Sequence, residues 1–328
     1  MTRFTRRSML TGAAIAGTAS ALAPLALRAP AQAAAPAAGK QAPGFYRYKV
    51  GDFEVTAFND GYVKVPKLES FVVNQPLDAI QKALDEAYIP KDDVRVPFNP
   101  LLVNTGGKLV LFDCGFGDNG SPVQGALLAN LAAAGVDPKS IDTIIISHFH
   151  GDHISGIRAK AGAANFPNAQ IMVPAGEWSY WNDAGELSKA PEVWKGAFGG
   201  VKRVFDPIAK DVTRFEFGKE LVPGITSVDA RGHSPGHSAF VIASGNAKLM
   251  YIADVTNHPA LFARNPEFRL WADMIPDQAL TTRRKLLDML AAERMPMAGY
   301  HYPFPAMGYI AKRGTGYDFI PASWQSAI

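Results

Sequence analysis

Three imidazoles and one carboxylate lie within the six residues of the run His148-Phe149-His150-Gly151-Asp152-His153. In an apolar core these side chains would leave several lone pairs unsatisfied, whereas a divalent cation uses all of them as ligands. The run therefore predicts a metal site rather than a group of surface histidines without metal. On a tight loop His148 and His150 can converge on one ion. Asp152 and His153 then point elsewhere and could hold a second ion beside the first.

The residues just before this run have the composition of a buried strand. Residues 141–147 form a short apolar segment that is rich in β-branched side chains, as is typical of strands covered on both faces. Ligands gather at the carboxyl ends of strands in layered α/β proteins, because loops there can aim several side chains at one point. Two ions about 3.5 to 4 Å apart can stabilise both the attacking and the leaving oxygen of a hydrolysis. The placement therefore favours a hydrolytic centre.

The second half of the chain offers one further ligand after each of three predicted strands. Those strands are expected over residues 225–230, 248–253 and 297–300. The side chains that follow them are His233, Asp254 and His301. A carboxylate such as Asp254 can bridge two cations with its two oxygens, and one more imidazole per ion completes a hydrolytic coordination set.

The remaining patterns predict a sheet-based α/β sandwich. Alternation of apolar and polar residues predicts hairpins over residues 44–58 and 101–112, and a strand over residues 169–174. Helical spacing of leucines predicts helices over residues 123–134 and 276–294, with Arg283 expected on the outward face of the second. Strands open the domain and then alternate with helices, which is the order expected of a layered α/β fold.

Aromatic residues are concentrated between the first histidine run and the later ligands. They are Trp178, Tyr180, Trp181, Trp194 and Phe198. Most aromatic residues belong to a core, but the glycines interspersed here favour a loop that covers an apolar pocket. Periodicity leaves open which of the five belong to the core and which to a pocket.

The amino terminus has the features of an export signal. A basic start is followed by an apolar, alanine-rich run, and Ala31-Gln32-Ala33 resembles a cleavage site, so residues 1–33 are predicted to be removed. The pair Arg6-Arg7 favours the twin-arginine route and a periplasmic or secreted protein. The apolar run falls short of the roughly 20 strongly apolar residues of a membrane span. Residues 34–43 are expected to form a flexible leader, and residues 44–328 a single domain.

Charge and cysteine content exclude two classes of protein. The net charge is +3, and four arginines lie in the predicted signal, so the mature domain is near neutral and lacks the electrostatic footprint of a nucleic-acid-binding protein. The single cysteine, Cys114, excludes an intramolecular disulfide framework and is expected to be a small buried residue beside Asp113. With 48% apolar residues, the chain is long enough to bury a stabilising core.

Taken together, the candidate ligands resemble those of the metallo-β-lactamase superfamily. The resemblance rests on His148-x-His150-x-Asp152-His153, His233, Asp254 and His301, and it implies an αββα sandwich of two mixed β-sheets flanked by helices. Further segments resemble the methyl parathion hydrolase branch, close to which lactonases and arylesterases are found. Those segments cover residues 44–46, 102–106, 166–169, 221–224 and 304–305.

The resemblance implies a role for each ligand. His148, His150 and His233 would hold one ion, and Asp152, His153 and His301 the other, while Asp254 would bridge both. The ions would be Zn(II), with Mn, Fe or Co as alternatives, and Asp152 and Asp254 would also take part in catalysis. His237 would be structural, and Asp113 would orient a ligand imidazole, as residues behind a metal site commonly do.

The resemblance also implies residues of a substrate pocket. Trp181 aligns with a pocket aromatic of the methyl parathion hydrolase branch, and the next matching position falls on Ala197 or Phe198. His258, four residues beyond Asp254, either faces the pocket or caps its loop. With Trp178 from the aromatic segment, the expected pocket residues are Trp178, Trp181, Phe198 and His258.

The expected activity is hydrolysis of a small phosphotriester, aryl ester or lactone by a hydroxide that bridges two cations. A lactonase acting mainly on acyl-homoserine or other lactones is the alternative, and a mononuclear-iron oxidoreductase of the same fold is a more distant one. A binding protein with a structural metal is disfavoured, because structural zinc sites are closed cages of four ligands. Relatives of this type imply a homodimer.

Overall fold

The structure is a computed structural model that describes residues 37–328. The predicted signal over residues 1–33 lies outside the described residues, as does the start of the predicted leader. Residues 37–44 contain neither helix nor strand. Within residues 37–328, no helix combines the length and the apolar character required to cross a bilayer.

The strands and helices follow one another closely along the described chain. The strands are β1 (Phe45–Val50), β2 (Phe53–Phe58), β3 (Gly61–Val65), β4 (Val94–Phe98), β5 (Leu101–Asn104), β6 (Leu109–Phe112), β7 (Thr143–Ile145), β8 (Gln170–Pro174), β9 (Thr213–Phe215), β10 (Glu220–Val222), β11 (Ile225–Asp229), β12 (Ser238–Ser244), β13 (Ala247–Ala253), β14 (Met297–Gly299), β15 (Met307–Arg313) and β16 (Gly316–Pro321). The α-helices are α1 (Leu77–Glu86), α2 (Leu127–Ala133), α3 (Gly151–Ile154), α4 (Ala175–Trp181), α5 (Ala184–Lys189), α6 (Glu192–Phe205) and α7 (Pro276–Glu293). A π-helical turn covers Pro259–Ala263.

Two mixed sheets form the centre of the domain. Within the described residues, the first sheet has the order β1-β2-β5-β6-β7-β8-β9 and becomes parallel from β6 onward. The second has the order β10-β11-β12-β13-β14-β15-β16, with a parallel pair at β13 and β14. Their inner faces meet in one core, where the ring of Phe112 lies 5.1 Å from that of Phe240 and 5.4 Å from that of Tyr251.

Helices cover the outer faces of both sheets. Leucines of α2 and aromatic residues of α6 pack with the outward residues of the first sheet, and Leu286, Leu287 and Leu290 of α7 pack on the second. The predicted αββα sandwich is therefore confirmed. Burial of these apolar faces against one another provides the core that the composition predicted.

Both predicted hairpins are present, as β1–β2 and β5–β6. The helix expected from residue 123 begins only at Leu127, because the chain turns at Gln124 and Gly125 has a φ of +81°. Arg283 was predicted to face outward and is only 1% exposed. The aromatic segment expected to form a loop instead forms α4, α5 and α6.

A smaller unit is attached to the sandwich. Strands β3 and β4 form a two-stranded sheet. Their inward valines pack with α1 and with the π-helical turn in a separate apolar cluster. Backbone pairing of Val72 with Leu270 ties this unit to the segment that precedes α7. The unit thereby places Val63 and Val96 opposite α6 across a cavity.

Candidate metal centre

The candidate ligands all lie at carboxyl ends of strands in the two sheets. His148 and His150 follow β7, and α3 begins at Gly151, so that Asp152 and His153 occupy its first turn. The other three ligands follow strands of the second sheet: His233 after β11, Asp254 after β13 and His301 after β14. Topology therefore brings together residues that are up to 153 positions apart in the sequence.

The ligand atoms fall into overlapping groups that could each hold a metal ion. Within each group the candidate atoms lie within 4.8 Å of one another. We call one the three-histidine group and another the aspartate group. The three-histidine group is His148, His150 and His233; the aspartate group is Asp152, His153 and His301. A third group, which overlaps both, contains His148, His153 and Asp254.

The Asp254 carboxylate lies between the two groups. Its Oδ2 is 2.9 Å from Nε2 of His301 and 3.3 Å from Nε2 of His233. Its Oδ1 is 3.3 Å from Nε2 of His153. Asp152 stays on one side, where its Oδ2 lies 3.4 Å from Nε2 of both His153 and His301. Asp254 is thus the carboxylate whose two oxygens face both groups.

Buried polar atoms at the centre lack partners and fit a cation. Among the described residues, Nε2 of His148, Nε2 of His153 and Oδ1 of Asp254 are buried without a hydrogen bond. Nδ1 of His150 faces Nε2 of His233 at 2.9 Å, so two more imidazole nitrogens converge there. Leaving such atoms unsatisfied costs about 1–3 kcal/mol each, whereas divalent cations accept all of these lone pairs.

Four of the five ligand imidazoles have their other ring nitrogen held by a protein group, whereas Nε2 of His150 is buried without a hydrogen bond. The contacts are His148 Nδ1 to Ser147 Oγ at 3.0 Å, His153 Nδ1 to Asp113 Oδ2 at 2.9 Å, His233 Nδ1 to Asp273 Oδ1 at 2.9 Å and His301 Nδ1 to the Pro97 carbonyl at 2.9 Å. Such contacts fix the orientation and the tautomer of a ligand imidazole and raise its basicity. Asp113 lies where the sequence predicted it, and Asp273 and Pro97 were not foreseen.

Asp273 is itself held by a buried cation. The Arg283 guanidinium of α7 donates to Oδ2 of Asp273 at 2.9 Å. It also donates to the carbonyls of Val255, Pro266 and Phe268. These acceptors explain why Arg283 is buried, because a charged group leaves water only when its donors are satisfied.

His237 has a structural position, as the sequence implied. Its Nδ1 donates to the Ala230 carbonyl at 2.9 Å, and its Nε2 accepts from the backbone N–H of Asp254 at 3.1 Å. Both ring nitrogens are therefore used, and burial lowers the pKa of His237 to about 3. The neutral ring connects the end of β11 to the residue that lies between the two groups.

Electrostatics separates the histidines into two kinds. Burial, together with the neighbouring imidazoles, holds the pKa of His148 and His150 well below the ordinary value, so these rings stay neutral, as metal ligands must be. Burial also opposes the charge on His301, but Asp254 and Asp152 outweigh it and raise the pKa. The Asp254 carboxyl is buried too, yet His301 and His153 hold its pKa well below the usual range.

A cavity of about 250 Å³ opens above the ligands. Its floor includes His150, Asp152, His233, Asp254 and His301. Its walls are mainly apolar, and they include Val63, Phe71, Val96, Phe98, Phe116, Trp194, Ala197, Leu270, Trp271 and Ala272. Gln124 and Asn257 contribute amide side chains, and among the described lining residues there is no lysine or arginine.

Two stacked tryptophans extend from the floor of this cavity to solvent. The indole of Trp194 stacks on the His150 ring at 4.9 Å with an interplanar angle of 13°. Trp271 stacks on the other side of Trp194 at 5.5 Å and 12°, and it is 45% exposed. Trp271 lies in the segment before α7 and was not predicted to line a pocket.

The structure corrects the predicted substrate pocket. Trp181 and Phe198 are buried in the core between α4 and α6, with their rings 4.7 Å apart. Trp178 packs beneath the Arg214 guanidinium, and His258 is buried in the loop after β13. None of these four predicted residues is among those that line the cavity described above.

Helix geometry explains the difference within α6. Trp194 and Ala197 are three residues apart and share the face toward the cavity. Phe198, Val201 and Phe205 lie on the adjacent face and enter the core. Of the five aromatic residues of the segment, only Trp194 lines the cavity, and of the two positions Ala197 and Phe198 it is Ala197 that does so.

Comparison with known proteins identifies the family. The sequence model described as Metallo-beta-lactamase superfamily matches residues 95–299. The chain belongs to this superfamily. Two solved structures are each similar to this chain with a TM-score of 0.82 and 29% identity. One is AidC, a dizinc quorum-quenching lactonase in complex with a product, which covers 86% of this chain and 99% of its own. The other is the hydrolase AbOPH, which covers 88% and 100%.

Curated relatives match over shorter stretches. Ribonuclease TTHA0252 from Thermus thermophilus is 27% identical over 53% of this chain and 38% of its own length. The N-acyl homoserine lactonase AttM from Azorhizobium caulinodans is 27% identical over 35% of this chain and 41% of its own. The chain thus spans about two fifths of the length of these relatives. Superfamily membership and the convergent donors support a metal-dependent hydrolase.

Proposed function

We propose that this superfamily member is a lactonase that hydrolyses neutral lactones bearing an apolar substituent, with two divalent metal ions as cofactor. The observation that carries the proposal is the position of the unsatisfied donors. His148, His153 and Asp254 direct unpaired atoms to the centre, and ligand residues around them form the floor of an apolar cavity. Donors that open on such a cavity are arranged for a substrate, whereas a structural site would be closed.

The ions would be held by the two groups described above. The three-histidine group would bind one and the aspartate group the other, with Asp254 between them, and zinc is the ion that this donor set favours. Bound there, a pair of divalent cations supplies Lewis acidity and an activated nucleophile at neutral pH. The similarity to a dizinc lactonase supports this assignment.

The residues of the chain orient the substrate and handle the proton. When a lactone ring opens, the leaving oxygen is an alkoxide, and it must take up a proton. The Tyr300 hydroxyl donates to the Asp152 carbonyl at 2.5 Å and the Tyr251 hydroxyl to Asp113 at 2.8 Å, so neither faces the cavity. The carboxylates of Asp152 and Asp254 lie on the cavity floor and are the side chains best placed to pass the proton given up by the attacking water to the alkoxide.

The walls determine the class of substrate. No lysine or arginine is found among the described lining residues, so the walls offer no cationic side chain to a negative charge that lies away from the metal ions. The stack of His150, Trp194 and Trp271 presents a row of aromatic ring edges, and the other wall residues are mainly apolar. Such a surface favours an acyl chain or a ring beside the scissile bond. These features support a neutral, partly apolar lactone rather than a nucleic acid.

Aryl esters and phosphotriesters form the second candidate substrate class. The same stacked indoles would accommodate an aryl leaving group, and an aryloxide of low basicity leaves without a proton. This reaction would use the same ligands and would differ only in the group that lies against the apolar walls of the cavity.

The experiment compares specificity constants after controlled metal loading. The protein is stripped with a chelator, reloaded with Zn(II), Mn(II), Co(II) or Fe(II), and analysed for metal content. It is then assayed with a long-chain acyl homoserine lactone, dihydrocoumarin, a p-nitrophenyl ester and methyl parathion. We expect two ions per chain and the highest kcat/KM with a lactone. A higher value with methyl parathion or the aryl ester would favour the second class.

Two outcomes would reject the proposal. A protein that holds two ions but hydrolyses none of the four substrates would not be a hydrolase of this kind. A single iron per chain with oxygen consumption would point to the oxidoreductase alternative.

A further inference from the structure

A buried carboxylate outside both ligand groups lies between the loops that carry the histidines. Glu177, on the first turn of α4, is fully buried and does not line the cavity. We propose that Glu177 is a positioning residue that fixes the separation of the His148–His150 loop from His233, and thereby sets the metal affinity of the three-histidine group. The proposal rests on the metal site of the proposed function, but not on its substrate.

Each oxygen of Glu177 holds a different loop. Its Oε2 accepts from the backbone N–H of Phe149 at 2.9 Å and from the indole N–H of Trp181 at 2.8 Å. Its Oε1 accepts from the Ser234 hydroxyl and from the backbone N–H of Gly236, both at 2.6 Å. An ionised carboxylate has about four acceptor positions, so one donor occupies each of them.

The positions of these donors connect the carboxylate directly to the ligands. Phe149 stands between His148 and His150 in the sequence, and Ser234 follows His233 immediately. The first loop leaves a strand of the first sheet and the second connects two strands of the second sheet. A shift of either donor would therefore move an imidazole of the three-histidine group.

Close backbone approach makes this contact specific. A Cβ atom at Gly236 would lie 2.3 Å from the backbone nitrogen of Glu177, and one at Gly176 would lie 3.1 Å from Cα of Gly236. Helix α4 therefore packs against the His233 loop at a distance that only glycine allows. A hydrogen bond from the backbone N–H of Ser238 to the Ser147 carbonyl joins the two loops next to their strands. Glu177 joins the same loops closer to the histidines.

The geometry predicts an effect confined to one half of the centre. The aspartate group is oriented by Asp113 and by the Pro97 carbonyl, and neither contacts Glu177. Loss of the Glu177 acceptors should thus weaken one ion and spare the other. A residue that merely stabilised the fold would lower the unfolding temperature without distinguishing between the two ions.

The test is Glu177→Gln, which keeps the shape but turns one acceptor into a donor that faces a backbone N–H. Zinc binding is measured by competition with a chromophoric chelator, and Co(II) binding by its visible spectrum. We expect the dissociation constant of one ion to rise about 10- to 100-fold and that of the other to stay unchanged. The Co(II) band of the weakened ion should also change.

A matched control is Asp60→Asn. Asp60 is a buried carboxylate that accepts from the backbone N–H groups of Phe116, Gly125 and Leu127, away from the three-histidine group. The Asp60→Asn variant should lose comparable stability but keep the zinc affinity of the three-histidine group. If Glu177→Gln does not fold, Ser234→Ala removes one donor to Glu177 and should weaken the same ion by a smaller factor.

Two results would overturn the proposal. One is a Glu177→Gln protein, or a Ser234→Ala protein in its place, that is destabilised but binds both ions with wild-type affinity. The other is that Glu177→Gln and Asp60→Asn weaken the ion of the three-histidine group by the same factor. A wild-type protein that binds two ions but hydrolyses no lactone would reject the proposed function and leave this inference standing.

Discussion

The candidate metal centre and the cavity above it are built on different principles. Every candidate ligand lies where a strand ends, so the order of strands in the two sheets determines where the ligands meet. The walls of the cavity come instead from the β3–β4 unit, from α6 and from the segment before α7. The order of strands in the two large sheets does not determine which side chains of these pieces face the cavity.

This contrast indicates which parts of an active site tolerate substitution. A metal ligand whose backbone is fixed at a strand end, and whose other ring nitrogen is hydrogen-bonded, can bind the ion in only one orientation. A cavity wall is defined by whichever side chain occupies a helix face, and neighbouring positions on that face belong to the core. The following variants test this contrast, in order of decreasing effect.

The largest effect is expected for Asp254→Ala. This variant removes the carboxylate whose oxygens face both groups, so metal content should fall from two ions to at most one. We expect kcat/KM to fall by more than the roughly 100-fold that loss of a residue behind a ligand can cause. Elemental analysis and the lactone assay measure both. His237→Asn is the control for the neighbouring histidine and should retain two ions; an Asp254→Ala protein with two ions would contradict the assignment.

A smaller effect is expected for Asp273→Asn. Asp273 accepts from His233 Nδ1 and from Arg283, and the amide removes the charge that both contacts use. Metal affinity or activity should fall about 10- to 100-fold, measured by zinc competition. The control is Asp277→Asn, an exposed carboxylate paired with Arg269 at the surface, which should change little. Equal behaviour of the two variants would show that the contact behind His233 does not matter.

The contrast between wall and core is tested by Trp271→Ala and Phe198→Ala. Trp271 is a half-exposed wall residue, so its loss should raise KM for long-chain lactones several-fold with little change in stability. Phe198 is a buried core residue, so its loss should lower the free energy of unfolding by about 3–5 kcal/mol. Denaturant titrations and lactone chain-length series provide both values. A Phe198→Ala protein with intact stability and altered substrate ranking would reverse this assignment.

The smallest effect concerns pH and His258. Burial and the nearby His301 lower the pKa of His258 to about 4, below the value of about 6.5 for an unfolded histidine. Between these values the unfolded chain binds more protons, so stability should fall as the pH is lowered from 6.5 to 4.

His258→Asn removes this contribution. For the metal-free protein, the slope of unfolding free energy against pH should become shallower by up to about 1.4 kcal/mol per pH unit. Urea titrations at pH 7, 6 and 5 measure the slope of each protein. Identical slopes would mean that His258 is accessible to solvent, as the sequence-based pocket assignment implied.

The sequence predicted the strands and the candidate ligands because both leave local patterns, whereas the grouping of distant ligands around two ions came from the family resemblance. Apolar runs that end in a histidine or an aspartate identify strand ends directly, and His148, Asp254 and His301 each follow such a run. Ligand spacing within residues 148–153 is dense enough to be recognised without a structure.

The sequence-based prediction of pocket residues failed where adjacent positions of one helix face the cavity and the core. Phe198 and Ala197 are adjacent, and only the packing of α6 determines which one faces the cavity. Trp271 carried no signal, because it lies in a segment without regular structure. Arg283, in contrast, did carry a sequence signal of burial. It is three residues before Leu286 and seven before Leu290, on the apolar stripe of α7. A charge on that stripe indicates a buried partner.

Trp194 gives this molecule an optical probe at its own active site. An indole stacked on an imidazole changes its emission when that imidazole gains a proton or a ligand. Intrinsic fluorescence of the unlabelled enzyme should therefore follow loading of the three-histidine group in real time. Replacing Trp194 by Phe would silence that signal and identify its source.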